Sequence, residues 1–159
     1  MVVALGCNLP GDYQSREALM AAALAALPGE GLAVVACSRW WRSGAWPDPA
    51  APFYLNGVAL VETGLSPAAT LATLHRLEAR FGRDRGAANA ARTLDLDLVA
   101  HGRAVSEQAL RLPHPRAHER LFVMGPLAEI APGWRHPLSG AAARDLAATA
   151  TVGRDARAV

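Results

Sequence analysis

Leucine and aspartate alternate in the stretch TLDLDL, residues 93–98. Successive side chains of a β-strand point to opposite faces, so Leu94, Leu96 and Leu98 share one face of a predicted strand. The two aspartates between them share the other face. This alternation predicts a strand that buries one face in the core. It disfavours a doubly wound parallel sheet, whose strands are apolar on both faces.

The rest of the chain alternates strand-like and helix-like segments. Strands are predicted over 2–9, 32–41, 54–63 and 93–101; helices are predicted over 15–27, 66–82 and in 113–132 (broken near Gly125-Pro126), with one alanine-rich helix over 140–150. The repeated β-α-β order predicts an α+β fold, a ferredoxin-like antiparallel sheet with helices packed on both faces in three layers, α-β-α. A single domain over 1–159 is expected, with a weakly determined tail from about 139.

The composition narrows the classes of protein. Hydrophobic residues make up 52% of the 159 residues, enough to build a core. Cys7 and Cys37 lie in apolar runs, which predicts small buried residues in a reduced compartment. The N-terminus lacks a basic signal-peptide region and no apolar run reaches about 20 residues, so we expect no membrane span and a cytoplasmic location.

All 16 basic residues are arginines, since the sequence contains no lysine, and the net charge is +2. This composition excludes mechanisms that need a P-loop lysine or a Schiff-base lysine. Any phosphate chemistry must therefore depend on arginine and metal ions.

Asp95 and Asp97 are candidate metal ligands. On one strand face their side chains start about 7 Å apart, and two like charges at this spacing repel unless a cation lies between them. Paired carboxylates are typical ligands of Mg²⁺, which takes the rest of its shell from water and substrate phosphates. The alternative reading of the pair alone is an ordinary solvated strand face.

Basic residues flank the acid pair on both sides. Arg83, Arg85 and Arg92 precede it, and arginines beside an acidic metal site suit phosphate binding. The segment LPHPRAHER (112–120) follows and contains His114 and Arg120, for which nucleotide contacts are more plausible than zinc binding. Solvated loop arginines remain the alternative.

Tyr54 and Asn56 begin a predicted strand directly after a proline-rich loop. An aromatic face next to an amide, which both donates and accepts hydrogen bonds, fits a flat heterocycle, and Phe122 could supply a second face. For the two aromatic residues alone, packing in the core is the better interpretation.

Several stretches together resemble a known family, the 6-hydroxymethyl-7,8-dihydropterin pyrophosphokinases of folate biosynthesis. The matching stretches, in the family's order, are ALGCNL, FYLNGVALVET, LHRLEARFGR, ARTLDLDLVAHG and LPHPRAHERLFVMGPLAEIAP. They span most of residues 2–138. RTLDLDL followed by the PHPR-ER-FV-PL-EIAP pattern is highly specific for this family.

The resemblance implies an ATP-dependent diphosphokinase that transfers pyrophosphate to the pterin hydroxymethyl group and releases AMP. It implies two Mg²⁺ ions and ATP as co-substrate, with no nucleic-acid or membrane partner. A monomer is the default expectation.

The resemblance also implies roles for individual residues. The catalytic residues would be Arg83, Arg92, Asp95 and Asp97, with the two aspartates binding metal. The pterin would contact Gly6, Ser43, Trp46, Tyr54, Asn56 and Phe122. The residues around ATP would be His75, Glu78, Arg83, Arg85, Arg92, Leu98, His114 and Arg120.

Two other functions use the same residues. A different two-metal phosphoryl or nucleotidyl transferase, or a nuclease, would share the acid pair, but should carry a basic groove with aromatic residues for nucleic acid. A catalytically impaired ferredoxin-like binding module would retain the fold without turnover.

Overall fold

The computed structural model of the protein describes residues 1–45, 50–83 and 93–159. Its strands form one antiparallel sheet, and α-helices pack against it. The strands are β1 (Val2–Cys7), β2 (Ala33–Cys37), β3 (Trp41–Ser43), β4 (Tyr54–Glu62), β5 (Asp95–Ala100) and β6 (Arg157–Ala158). The α-helices are α1 (Arg16–Ala26), α2 (Pro67–Arg80), α3 (Leu121–Ile130) and α4 (Ala143–Thr149). Among these ranges, no helix is both long and apolar enough to span a bilayer.

The sheet has the strand order β5-β1-β4-β3-β6, and β2 also pairs with β4. Every pair is antiparallel. β1 therefore lies between the aspartate-bearing strand β5 and β4. This arrangement brings Asp95 of β5 and Asn56 of β4 to the same level of the sheet, one on each side of Gly6.

Buried residues lie on both faces of β1. Val3, Leu5 and Cys7 pack in a cluster with buried residues of α1 and α2. Val2 and Ala4 pack in a second cluster with α3 and α4. Because successive strand residues point to opposite faces, the two clusters lie on opposite sides of β1.

The predicted division of the TLDLDL strand into a leucine face and an aspartate face is confirmed. Leu94, Leu96 and Leu98 are 0%, 2% and 4% exposed and belong to the cluster with α1 and α2. Asp95 and Asp97 lie on the other face, at the end of β5 that faces a cleft. The same strand thus contributes core and ligand-facing side chains.

The single strand predicted over 32–41 is wrong, because strand structure is interrupted at residues 38–40. The Ser38 hydroxyl donates to Arg39 O (2.7 Å) and accepts from Val58 N (3.0 Å). β2 then pairs with the second half of β4 and β3 pairs with its first half. Two short strands therefore replace one long one, and Cys37, at the end of β2, is exposed rather than buried.

The break predicted at Gly125-Pro126 is also wrong, because α3 continues through Pro126. The helix is apolar and buried, and its packing outweighs the loss of one backbone donor. The tail helix is shorter than predicted, and the short strand β6 was not predicted. β6 depends on its pairing with β3, a distant segment of the chain.

Replacing Gly125 with alanine should destabilise the protein. A β-carbon at Gly125 would lie 2.6 Å from Cη2 and Cζ3 of Trp41, so the indole must move. Overpacking of this kind typically lowers the free energy of unfolding by about 1–3 kcal/mol, which outweighs the gain of about 1 kcal/mol in helix propensity. Thermal unfolding should show a lower Tm. Gly133→Ala, with nothing within 4 Å of its β-carbon, is the matched control, and a raised Tm for Gly125→Ala would contradict the packing.

Candidate active site

A cleft of about 600 Å³ opens on the face of the sheet that carries the aspartates. Its floor follows from strand register: Gly6 of β1 lies opposite Asp95 of β5 on one side and Asn56 of β4 on the other. Because Gly6 has no side chain, the space between the Asp95 carboxylate and the Asn56 amide stays open. The lining residues are Ala4, Leu5, Gly6, Ser43, Gly44, Tyr54, Asn56, Asp95, Asp97, Arg116, Arg120, Phe122, Val123, Thr151, Val152 and Gly153.

The Asn56 amide is held in one orientation. Its Nδ2 donates to the Ser43 hydroxyl at 3.0 Å, and both residues are buried. The carbonyl Oδ1 lies on the side of Gly6, 3.6 Å from where a β-carbon of Gly6 would be. Asn56 therefore presents a fixed acceptor to a ligand that offers N–H groups.

Two aromatic side chains line the same cleft. Tyr54 lies two residues before Asn56 on β4 and therefore on the same face, and Phe122 lies in the first turn of α3. Both line the cleft, whereas their residue types alone favour packing in the core. Together with the amide they form an apolar and hydrogen-bonding surface suited to a planar heterocycle.

The acid pair lies in an electrostatically strained position. Burial, followed by repulsion from Asp95, raises the pKa of Asp97, while His114, Arg120 and Arg83 act in the opposite direction. Burial lowers the pKa of His114, and Asp97 opposes that shift. A divalent cation between the carboxylates would relieve their repulsion, and the remaining ligands can come from water and phosphate. The two carboxylates therefore fit Mg²⁺; the described residues contain no group of three or more His, Cys, Asp or Glu that could hold a metal alone.

Arg83 and Glu78 lie beside the acid pair but do not line the cleft. The Arg83 guanidinium forms ion pairs with Glu78 and Asp95, and its side chain is 16% exposed. Glu78 is 1% exposed, and its Oε1 also accepts the backbone N–H of Leu96 at 2.8 Å. Glu78 thus contacts the strand between the two aspartates.

The other residues expected around ATP lie in different parts of the fold. Arg120 lines the cleft, and His114 donates its backbone N–H to Val99 O of β5 at 2.8 Å. His75 is half-buried on α2, three residues before Glu78, and the Leu98 side chain is in the core. Trp46, Arg85 and Arg92 lie outside the described residues.

Several lining residues were not assigned to the site from the sequence. Arg116 could have been, because it lies in the same turn-rich segment as Arg120. Thr151, Val152 and Gly153 come from the tail, where no motif indicated a site. Only the return of the chain to α3 brings them to the cleft.

Comparisons with known proteins identify the family of the chain. The sequence model of the family described as 7,8-dihydro-6-hydroxymethylpterin-pyrophosphokinase matches residues 2–132. Relatives named 2-amino-4-hydroxy-6-hydroxymethyldihydropteridine pyrophosphokinase include one from Synechocystis, 45% identical over 87% of this chain and 70% of its own length. Another, from Methylorubrum extorquens, is 40% identical over 80% of each chain.

Solved structures share the fold. A crystal structure titled as HPPK-DHPS in complex with substrates has a TM-score of 0.70 at 10% identity and covers 93% of this chain. Plasmodium falciparum HPPK-DHPS, titled as wild type with SDX-DHP, has a TM-score of 0.67 at 12% identity and covers 92%. This chain spans 42% of the length of each of those two chains. By its sequence match, the chain belongs to the 7,8-dihydro-6-hydroxymethylpterin-pyrophosphokinase family.

Proposed function

We infer that this chain transfers pyrophosphate from ATP to the hydroxymethyl group of 6-hydroxymethyl-7,8-dihydropterin, in folate biosynthesis. The hydroxyl oxygen forms a bond to the β-phosphorus of ATP, the bond from that phosphorus to the α,β-bridging oxygen breaks, and AMP leaves. The products are AMP and the pterin diphosphate. The observation that carries this inference is one cleft that joins an acid pair to an amide and two aromatic side chains.

The pterin half of the site is proposed around Asn56. The fixed Oδ1 of Asn56 would accept from the amino and ring N–H groups of the pterin, while Tyr54 and Phe122 would pack against its faces. Gly6 leaves room for the ring and Ser43 holds the amide. Trp46 remains a proposed pterin contact from the sequence.

The phosphate half is proposed around Asp95 and Asp97, which would hold two Mg²⁺ ions. Bound there, Mg²⁺ would neutralise phosphate charge and bring the hydroxyl and the β-phosphorus into line. The remaining proposed ATP contacts are His75, Glu78, Arg83, Arg85, Arg92, Leu98, His114 and Arg120. Arg116 joins them, because its side chain lines the cleft near Arg120.

Arg83 must change its contacts before it can bind the transferring phosphate. It lies against Asp95 and Glu78, so a contact with the transferring phosphate requires it to turn away from Asp95. The charge that a metal ion supplies to Asp95 would permit this exchange, because the carboxylate would no longer need the guanidinium. Arg92 is proposed to stabilise the same developing charge.

Finer features of the protein are part of the same proposal. The strand order β5-β1-β4-β2, with α1 and α2 as crossover helices, supports a ferredoxin-like, three-layer arrangement. We also propose a single domain, a monomer and a cytoplasmic location, and the free thiols of Cys7 and Cys37 support a reduced compartment. No specific observation favours a nuclease or a binding module.

A ³¹P NMR assay tests the reaction. ATP, Mg²⁺ and 6-hydroxymethyl-7,8-dihydropterin should give the AMP resonance together with two new diphosphate resonances of the pterin product. Omitting the pterin or chelating Mg²⁺ with EDTA should prevent both changes. Formation of ADP or inorganic phosphate, or AMP release that does not depend on the pterin, would contradict the proposed function.

A further inference from the structure

The C-terminal segment, residues 151–159, reaches the cleft from beyond the matched family region, which ends at residue 132. Thr151, Val152 and Gly153 line the cleft. Six residues later the chain ends beside β3, on the other side of the same cleft. The segment therefore contacts two cleft walls that are distant in sequence.

One end of the C-terminal segment is tied to the wall that carries Phe122. Thr151 N and Val152 N both donate to Glu119 O, at 3.0 and 2.9 Å, and Leu121 N donates to Val152 O at 2.9 Å. Gly153 lies directly against the Phe122 ring, and a β-carbon there would overlap Cδ1. With φ at +67°, Gly153 also has a backbone conformation that disfavours other residues.

The other end is tied to the wall that carries Ser43. Arg157 and Ala158 form β6 and pair with β3, and Val159 N donates to Trp40 O at 3.0 Å. The Asp155 carboxylate accepts the Gly44 backbone N–H at 2.5 Å. Gly44 follows Ser43, which in turn holds the Asn56 amide.

A tight turn joins the two attachments. Ala156 N donates to Gly153 O at 2.9 Å, and Ala156 is 8% exposed. This hydrogen bond closes a four-residue turn with Gly153 at one end and Asp155 inside it. A turn this short keeps the spacing between the Phe122 wall and the Gly44 wall within narrow limits.

We propose that the C-terminal segment sets the width of the pterin half of the cleft, with Asp155 as a positioning residue that holds Gly44 and Gly153 as the surface that seats the Phe122 ring. This inference rests on the proposed function for the identity of the ligand. Its consequence is specific: loosening the segment at Asp155 or Gly153 weakens binding of the planar substrate and leaves ATP binding largely unchanged. The attachments beside Arg120 are made by Thr151 and Val152, which those two changes leave in place.

Asp155→Ala is the first test. Loss of the carboxylate acceptor should raise KM for the pterin by about five- to tenfold, the usual effect of removing a charge-assisted hydrogen bond, with KM for ATP changed by less than about twofold. Asp155→Asn keeps an oxygen that can accept the Gly44 N–H and should restore most of the affinity. Asp145→Ala, on the exposed surface of α4, is the matched control and should leave both KM values unchanged.

A structural readout separates this proposal from the proposed function. Amide hydrogen exchange at Gly44, measured by NMR, should be faster in Asp155→Ala than in wild type and Asp155→Asn. If wild type makes no pterin diphosphate, the proposed function fails, and the exchange measurement alone decides whether Asp155 holds Gly44. Unchanged exchange at Gly44, or an equal rise of both KM values, would overturn the proposal.

Gly153→Ala tests the second contact. The added methyl must displace the Phe122 ring, so pterin affinity measured by ligand fluorescence should fall by about tenfold. In a Phe122→Ala background the same change should have little further effect on pterin affinity, because the ring it displaces is gone. The backbone strain of alanine at a φ of +67° is the same in both backgrounds and is measured separately as the change in Tm. Additive losses in the double variant would show that Gly153 does not act through Phe122 and would overturn this part of the proposal.

Discussion

Asp97→Asn should lower pterin-dependent AMP formation by at least about a hundredfold. The amide keeps the shape of the side chain but removes one of two negative charges that would hold Mg²⁺. Phosphoryl transfer depends on positioning and charge neutralisation, so loss of a metal ligand affects the chemical step directly. Steady-state rates at saturating ATP and pterin, measured over a range of Mg²⁺ concentrations, would show the effect.

Asp97→Asn should leave the protein folded. The side chain faces the cleft while Leu96 and Leu98 pack in the core, so the packed face of β5 is unchanged. Burial and Asp95 both disfavour the ionised form of Asp97, as its raised pKa indicates, and the amide removes that charge. Thermal unfolding without Mg²⁺ should therefore give a Tm no lower than that of wild type. Near-normal turnover, compared with the exposed control Asp145→Asn, would contradict the metal assignment.

Glu78→Ala should lower both stability and activity. Glu78 is 1% exposed, accepts the buried backbone N–H of Leu96 and forms an ion pair with Arg83. The alanine variant leaves that N–H unsatisfied and removes one carboxylate from Arg83, which should reduce the free energy of unfolding by about 2–4 kcal/mol. Turnover should fall by at least about tenfold, since Leu96 lies between the two aspartates. Urea denaturation and the AMP assay measure the two effects.

Two further variants separate the causes. Glu78→Gln keeps an oxygen for Leu96 N but loses the charge opposite Arg83, so its stability should lie between those of wild type and Glu78→Ala. The exposed Glu107→Ala should change neither quantity by a measurable amount. If Glu78→Ala raised only KM for ATP and left the unfolding free energy unchanged, the support that Glu78 gives to β5 would be contradicted, and the proposed contact with ATP would be its only role.

Local signals in the sequence predicted much of the fold. A serine followed by proline, Ser66-Pro67, is a typical start of a helix, and the Ser66 Oγ accepts Ala69 N at 3.3 Å at the start of α2. Ser15 caps α1 in the same way, through Ala18 N at 3.1 Å. Such signals are readable because a cap involves residues only three positions apart.

The failed predictions share a physical cause. The interruption of the strand at Ser38, the continuity of α3 through Pro126 and the pairing of β6 all depend on contacts between segments far apart in sequence. Trp41 illustrates this dependence: it packs on Gly125 and donates through Nε1 to Glu129, 88 residues away, at 2.9 Å. Propensity and periodicity describe a short window and contain no information about such partners.

The same distinction between local patterns and distant contacts applies to the candidate site. The sequence by itself determined that leucines face the core and that Asp95 and Asp97 share the opposite face, because strand alternation is a property of adjacent residues. Only the tertiary structure decided what faces that pair: Gly6 opposite Asp95 in the strand register, Arg83 held between Glu78 and Asp95, and the tail residues 151–153 along one wall. The members of each group are distant in sequence and come together only when the chain folds. Gly44 and Asp155, which also meet in this way, are 111 positions apart.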